Sequence, residues 1–123
     1  YVDTAGWGHA EFLLITGVTD AALGSTAETT PPLIEECDTT DGTYTDVTSA
    51  ALAAVISATD DSKISAIDVD LHRSHKRYME VQAPHAGAGT TGINAAVICI
   101  LSEPVGIAPA SAAQRGLSEW IEA

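Results

Sequence analysis

Six consecutive polar residues, His72-Arg73-Ser74-His75-Lys76-Arg77, gather three of the five basic side chains of this 123-residue chain; the other two are Lys63 and Arg115. A run this rich in donors can hold an anion or a carboxylate. On a chain with 17 acidic residues and a net charge of -12, it also suits an acidic partner surface, because opposite charge steers and registers a contact. Arg73, His75, Lys76 and Arg77 are therefore candidate interaction residues, with a solvated turn between two strands as the plainer alternative. His72 and His75 lack the spacing of a helical zinc pair and have no cysteine beside them, so no metal site is expected there.

The other groups that could do chemistry do not assemble into a motif. Carboxylates cluster at Glu35, Glu36, Asp38 and Asp41 and again at Asp60, Asp61, Asp68 and Asp70. Paired carboxylates can act as acid and base or bind calcium, but Asp38 to Gly42 has neither the spacing nor the closing Glu of a calcium loop. Solvated faces and turns account for them. Serine, histidine and aspartate are all present without a nucleophile elbow, and neither cysteine is framed as a nucleophile. The Gly-rich connection from 87 to 92 leads into a strand rather than a helix, so it cannot present a helix N-terminus to a phosphate. No enzymatic activity and no cofactor are expected.

Charge narrows the partners further. Nucleic-acid affinity rests on clustered Lys and Arg, which an acidic chain of pI near 4.3 lacks, so direct binding to DNA or RNA is not expected. The longest apolar run, Ile93 to Leu101, is broken by Asn94 and falls far short of the ~20 residues a membrane helix needs. Tyr1 opens the sequence without a signal-peptide pattern, and compartment is not readable there. Cys37 and Cys99, 62 positions apart in the sequence, form neither a disulfide framework nor a zinc knuckle and read as two free buried thiols, with a single disulfide in a secreted protein as the alternative.

The elements that must position these residues show period two more often than period 3.6. His9 to Val18 reads as a strand with Phe12 and Leu14 on one face and Leu13 and Ile15 on the other. Both faces are apolar, so one belongs in a core and the other, with Leu13, lies under a tail or against a neighbour. Leu33 to Cys37 is a short strand, and Asp41-Gly42 turns the chain into Thr43 to Val47. Ser49 to Ala58 carries Leu52, Val55 and Ile56 at helical spacing behind a Ser or Thr cap, which predicts one short helix. Clean alternation from Lys63 to Leu71 sets Ile67, Val69 and Leu71 inward and Asp68 and Asp70 outward. Lys76 to Ala83 and Gly92 to Leu101 complete the strands.

Five to seven strands with almost no helix predict an all-β fold, an antiparallel β-sandwich or jelly roll over residues 1–103. The core must be thin, since 46% of residues are apolar but 21 of them are alanine and only 5% of the chain is aromatic. Residues 104–123 contain Pro104 and Pro109 and little periodicity before Leu117, which predicts an extended C-terminal arm. Its large apolar side chains, Trp120 and Ile121, need a docking place, in the same chain or on a neighbouring subunit.

Several segments together resemble one family. They are Tyr1-Val2-Asp3-Thr4-Ala5-Gly6-Trp7 leading into the apolar strand, Glu35-Glu36-Cys37-Asp38 followed by Asp41-Gly42-Thr43-Tyr44-Thr45-Asp46-Val47, the strand Lys76-Arg77-Tyr78-Met79-Glu80-Val81, and Ala95 to Leu101. In order and spacing they look like the small β-sandwich head decoration, or cement, proteins of tailed bacteriophages. Cys37, where a polar residue is usual, and the long C-terminal segment depart from that pattern. The resemblance implies a structural virion protein on the capsid exterior, assembled in the host cytoplasm. It also implies partnership with further copies of itself, as a homotrimer, and with the major capsid protein, and it carries no catalytic residues. The alternatives are another particle, tail or filament component, a carbohydrate-binding or adhesive sandwich module, and a cupin-type enzyme. Scattered histidines without a paired motif speak against the last.

Overall fold

The computed structural model describes residues 1–19, 22–23, 30–57, 61–83, 85–86 and 93–105. Its strands are β1 (Val2–Asp3), β2 (Trp7–Thr19), β3 (Ala22–Leu23), β4 (Leu33–Cys37), β5 (Thr45–Ala51), β6 (Lys63–Asp70), β7 (Tyr78–Gln82), β8 (His85–Ala86) and β9 (Ile93–Pro104). A four-stranded sheet in the order β1-β7-β4-β5 packs on a three-stranded sheet in the order β6-β2-β9, and β3 pairs with β8. Every ladder is antiparallel. The expected antiparallel β-sandwich is the fold.

The core follows from alternation along β2. Ala10, Phe12, Leu14 and Thr16 are buried, whereas Leu13 and Ile15 between them are half-buried on the opposite face. Phe12 lies between Ile67 of β6 and Cys99 of β9. Ile67 and Val69 are buried and Asp68 and Asp70 exposed, as the pattern of β6 predicts. The facing sheet contributes Ile34, Met79, Val47 and Ala50 to the same cluster. Thr16 is tolerated inside because its hydroxyl donates to the Lys63 carbonyl at 3.2 Å.

Two local readings change. No helix forms between Ser49 and Ser57; β5 instead runs through Ser49 to Ala51. The reason is a wide irregularity in the β4–β5 ladder, where Glu35 faces Asp46 but Leu33 faces Ala51. Ser49 sits there at φ 66°, a left-handed conformation that a helix cannot contain. Beyond it Ile56 is buried as an isolated bridge residue, so tertiary burial uses the apolar spacing that reads as helical. Connectivity also departs from simple hairpins. Among the described strands only β4 and β5 are neighbours both in sequence and in a sheet, and the chain otherwise crosses between layers.

β9 extends through Pro104, and the Val105 amide donates to the Gly6 carbonyl at 2.8 Å. The remainder of the expected arm, including Trp120 and Ile121, lies outside the described residues. Among those residues no helix is long and apolar enough to cross a membrane.

Candidate functional site

The basic run forms the connection between β6 and β7, and its donors are bonded to named acceptors of the same chain. Arg73 Nε donates to Asp70 Oδ2 at 3.2 Å. His75 Nδ1 and the Lys76 amide both donate to Glu36 Oε2, at 2.9 and 3.0 Å. Lys76 Nζ donates to Thr45 Oγ1 at 2.8 Å. Arg77 grips Asp3 with Nε to Oδ1 at 2.9 Å and its terminal nitrogen to Oδ2 at 2.6 Å, and its guanidinium lies 5.1 Å from the Tyr78 ring centre. The turn thus fastens β1, β4 and β5 to the β6–β7 corner.

Electrostatics follow from those bonds. The Arg77 hydrogen bond holds the Asp3 carboxyl below its usual value, and Asp3 in turn raises Arg77. Asp70 is lowered first by the His72 amide and then by the side chains of His72 and Arg73. His75 and Glu36 are only 17% and 15% exposed, so this pair is a partly buried clasp rather than a docking charge. Arg73 remains 79% exposed beyond its contact with Asp70. Of the four sequence candidates, it presents the most of its side chain to solvent. The His72 ring packs on Gly8, where an added Cβ would lie 2.5 Å from Cε1 and 2.9 Å from the Glu103 carbonyl; backbone and ring leave room only for glycine. Beside the turn, a cleft of about 500 Å³ opens between the β5 and β6 edges, lined by Glu36, Ser49, Asp68, Arg73 and His75 among others. Within the chain, Arg73 already bonds Asp70 and Glu36 already accepts from His75 and the Lys76 amide.

The carboxylates separate by sheet face. Glu36 is opposite the core residue Met79 and reaches the rim where His75 meets it. Glu35 points the other way, directly opposite Asp46 of β5 and Glu80 of β7. Three carboxyl groups therefore stand in a row across β5, β4 and β7. Burial first, then the charges of Asp46 and Glu80, push the Glu35 carboxyl above its ordinary value. Among the described residues no three His, Cys, Asp or Glu side chains converge on a cation site. Cys37 and Cys99 are free. Cys37 is buried beneath the β4–β5 loop, where Gly42 comes so close that an added Cβ would lie 2.5 Å from Sγ. Burial pushes the Cys99 thiol up to about 11.

The least satisfied surface is apolar and centres on β9. On the outer side of the three-stranded sheet, Leu13 is flanked by Ala66 and Ile98, and Ile15 by Ile64 and Ala96. Ile64 is 67% exposed, Ile98 47% and Ile100 45%. Leu13, expected on an apolar second face, is at the middle of this strip. On the inner side Val97 is 51% exposed. There the layers part into a cleft of about 340 Å³ lined by Tyr1, Val2, Met79, Val81, Val97 and Cys99 among others. Neighbouring exposed apolar side chains of this kind mark contact surfaces. Sequence reading located Leu13 as a contact residue and read Gly92 to Leu101, the strand that is β9, as a strand, but gave it no contact role. The available signal was the unbroken apolar stretch from Ala95 to Leu101, which suits a strand covered on both faces.

Comparison of the chain with protein-family models, with curated proteins and with solved structures found no match. The class that fold and surface define is an acidic, antiparallel β-sandwich with a four-stranded and a three-stranded layer.

Proposed function

We propose that the chain is a structural subunit of a particle surface, a decoration or cement protein on the exterior of a tailed-phage head. In this reading it associates with copies of itself, as a trimer at three-fold positions, and with the major capsid protein. It is not an enzyme and takes no cofactor. The observation that carries the reading is the apolar strip of exposed Ile64, Ile98 and Ile100 around half-buried Leu13 on an otherwise strongly acidic chain. A thin, alanine-rich core gains much from such contacts, and a negative outer coat keeps particles from clumping. The segment similarities set out from the sequence point the same way.

The test is to mix the purified full-length chain with capsids lacking their decoration and to measure bound copies per particle. Saturation at a fixed ratio is expected. Reversing Arg73 and Lys76 together should weaken attachment, more so as salt is lowered, if the β6–β7 corner faces an acidic capsid surface. Absence of saturable binding would remove the proposal. A second reading, a carbohydrate-binding module, is favoured by one observation: Tyr1 is 68% exposed and stands edge-on to Tyr78 at 5.6 Å. Glycan-array binding abolished by Tyr1→Ala would select it.

A further inference from the structure

β9 has the side chains of a central strand and the position of an edge strand. Its Val97, Cys99 and Leu101 lie opposite the core residues Leu14, Phe12 and Ala10, and its Ile98 and Ile100 lie opposite Leu13 and Glu11 on the outer face. Strands apolar on both faces are normally enclosed by neighbours on both sides. Among the described residues β9 pairs only with β2, and no described strand pairs with the other row of its backbone N–H and C=O groups.

Edges of this kind are usually protected by a lysine, a proline, a bulge or shortness. None of these devices interrupts the middle of β9. Its register with β2 runs evenly from Ala95 to Ser102, and Glu103 is the one charged residue in the strand, placed at its end with φ 56°. Other edges of the two sheets differ. β5 carries Asp46, β6 carries Lys63, Asp68 and Asp70, and β1 has two residues including Asp3.

We infer that the free edge of β9 pairs antiparallel, about a two-fold axis, with β9 of a second copy of this chain, joining two three-stranded sheets into one. Charge selects this occupant. Two copies that each carry a net charge of -12 repel wherever carboxylates meet, and β9 offers a long uncharged edge on which they can touch. An acid-seeking basic partner has no carboxylate to recognise between Ile93 and Ser102. Apolar side chains facing their own symmetry mates are complementary without further design, and a strand edge is complementary to itself only in the antiparallel sense. Ile98 and Ile100 then gain cross-strand partners, and the cleft beside Val97 is closed by its symmetry mate. The inference is independent of any capsid. Pairing uses the backbone edge of β9, whereas the capsid reading uses the outward face of Leu13, Ile64, Ile98 and Ile100; dimerisation in solution and saturable capsid binding are measured separately, so failure of one is readable apart from failure of the other.

The experiment uses the full-length chain. Sedimentation equilibrium should show a dimer, and Ile98→Lys and Ile100→Lys, each placing a charge on the edge strand, should weaken it at least tenfold while leaving a cooperative thermal transition. Disulfide mapping supplies the geometry. With Cys37→Ser and Cys99→Ser as background, single cysteines are placed in turn from Ala95 to Leu101, and Cys99 itself is tested with Cys37→Ser alone. Distance between symmetry mates grows by roughly 7 Å per residue from a two-fold axis, since each strand rises ~3.4 Å per residue. Cross-linking is therefore expected at one or two adjacent positions, because a disulfide needs Cα atoms within ~7 Å. Cross-linking at every position, the mark of a parallel in-register stack, would overturn the inference. So would a monomer at all concentrations, or a dimer unaffected by both lysines.

Discussion

Replacing Glu35 by Gln should make this protein more stable. Glu35 stands directly opposite both Asp46 and Glu80, and like charges facing each other across strands cost about 0.2 to 1 kcal/mol per pair. Two such pairs, partly screened by solvent, suggest a gain of about 1 kcal/mol, or about 4 °C in Tm for a domain of this size. Gln keeps the shape, and its amide can donate to Asp46 where the wild-type contact between the two carboxyl groups requires a shared proton. The pH dependence has a definite sign. Because the folded-state value of Glu35 lies above its ordinary 4.5, the penalty is complete at neutral pH. It shrinks as pH falls through the folded value and is gone below the unfolded one. Thermal melts of wild type and Glu35→Gln across this range should converge at the acidic end, and high salt should narrow the neutral-pH gap. Glu80→Gln, which removes one facing pair, should give about half the gain. A Glu35→Gln variant no more stable than wild type at neutral pH would refute the reasoning, and a gain that persists under acid would assign it to packing rather than charge.

Other expectations follow from the same contacts. Phe12→Ala removes the largest fully buried side chain among the described residues and should cost about 3 to 5 kcal/mol in denaturant unfolding, toward the lower end because the void adjoins the cleft beside Val97 and can admit water. Asp3→Asn should cost no more than about 1 kcal/mol, as befits a pair left half exposed. Since Asp3 is held below its ordinary 3.8, the contribution of its pair with Arg77 is complete above that pH and is lost as pH falls through the folded value, so the variant and wild type should converge in strong acid. Trp120→Ala in the full chain should reduce association or particle attachment more than it lowers Tm, measured by sedimentation and melting together. An equal loss of both would place that side chain in its own domain's core.

The layers and the inward residues of β2 and β6 are readable from the chain alone. Alternation of period two is a local property, and Phe12, Leu14, Ile67 and Val69 obey it because each strand buries one face. The expectation that the chain does not bind nucleic acid rests on charge counting alone. The segment after Ser49 is different. Its helical spacing of Leu52, Val55 and Ile56 is real, but pairing of Leu33 with Ala51 and the left-handed Ser49 are non-local, so packing overrides local pattern there. The basic run shows the same division. Its charges are visible in the sequence, whereas their acceptors Asp3, Glu36 and Thr45 come from strands up to 74 residues away in the chain. Strand order decided the remainder: an apolar strand such as Ala95 to Leu101 reads identically at the centre of a sheet and at its edge. Only assembly of the two sheets set β9 beside β2 alone among the described strands, because ladder partners are chosen by the three-dimensional path of the chain and leave no mark on the strand they omit.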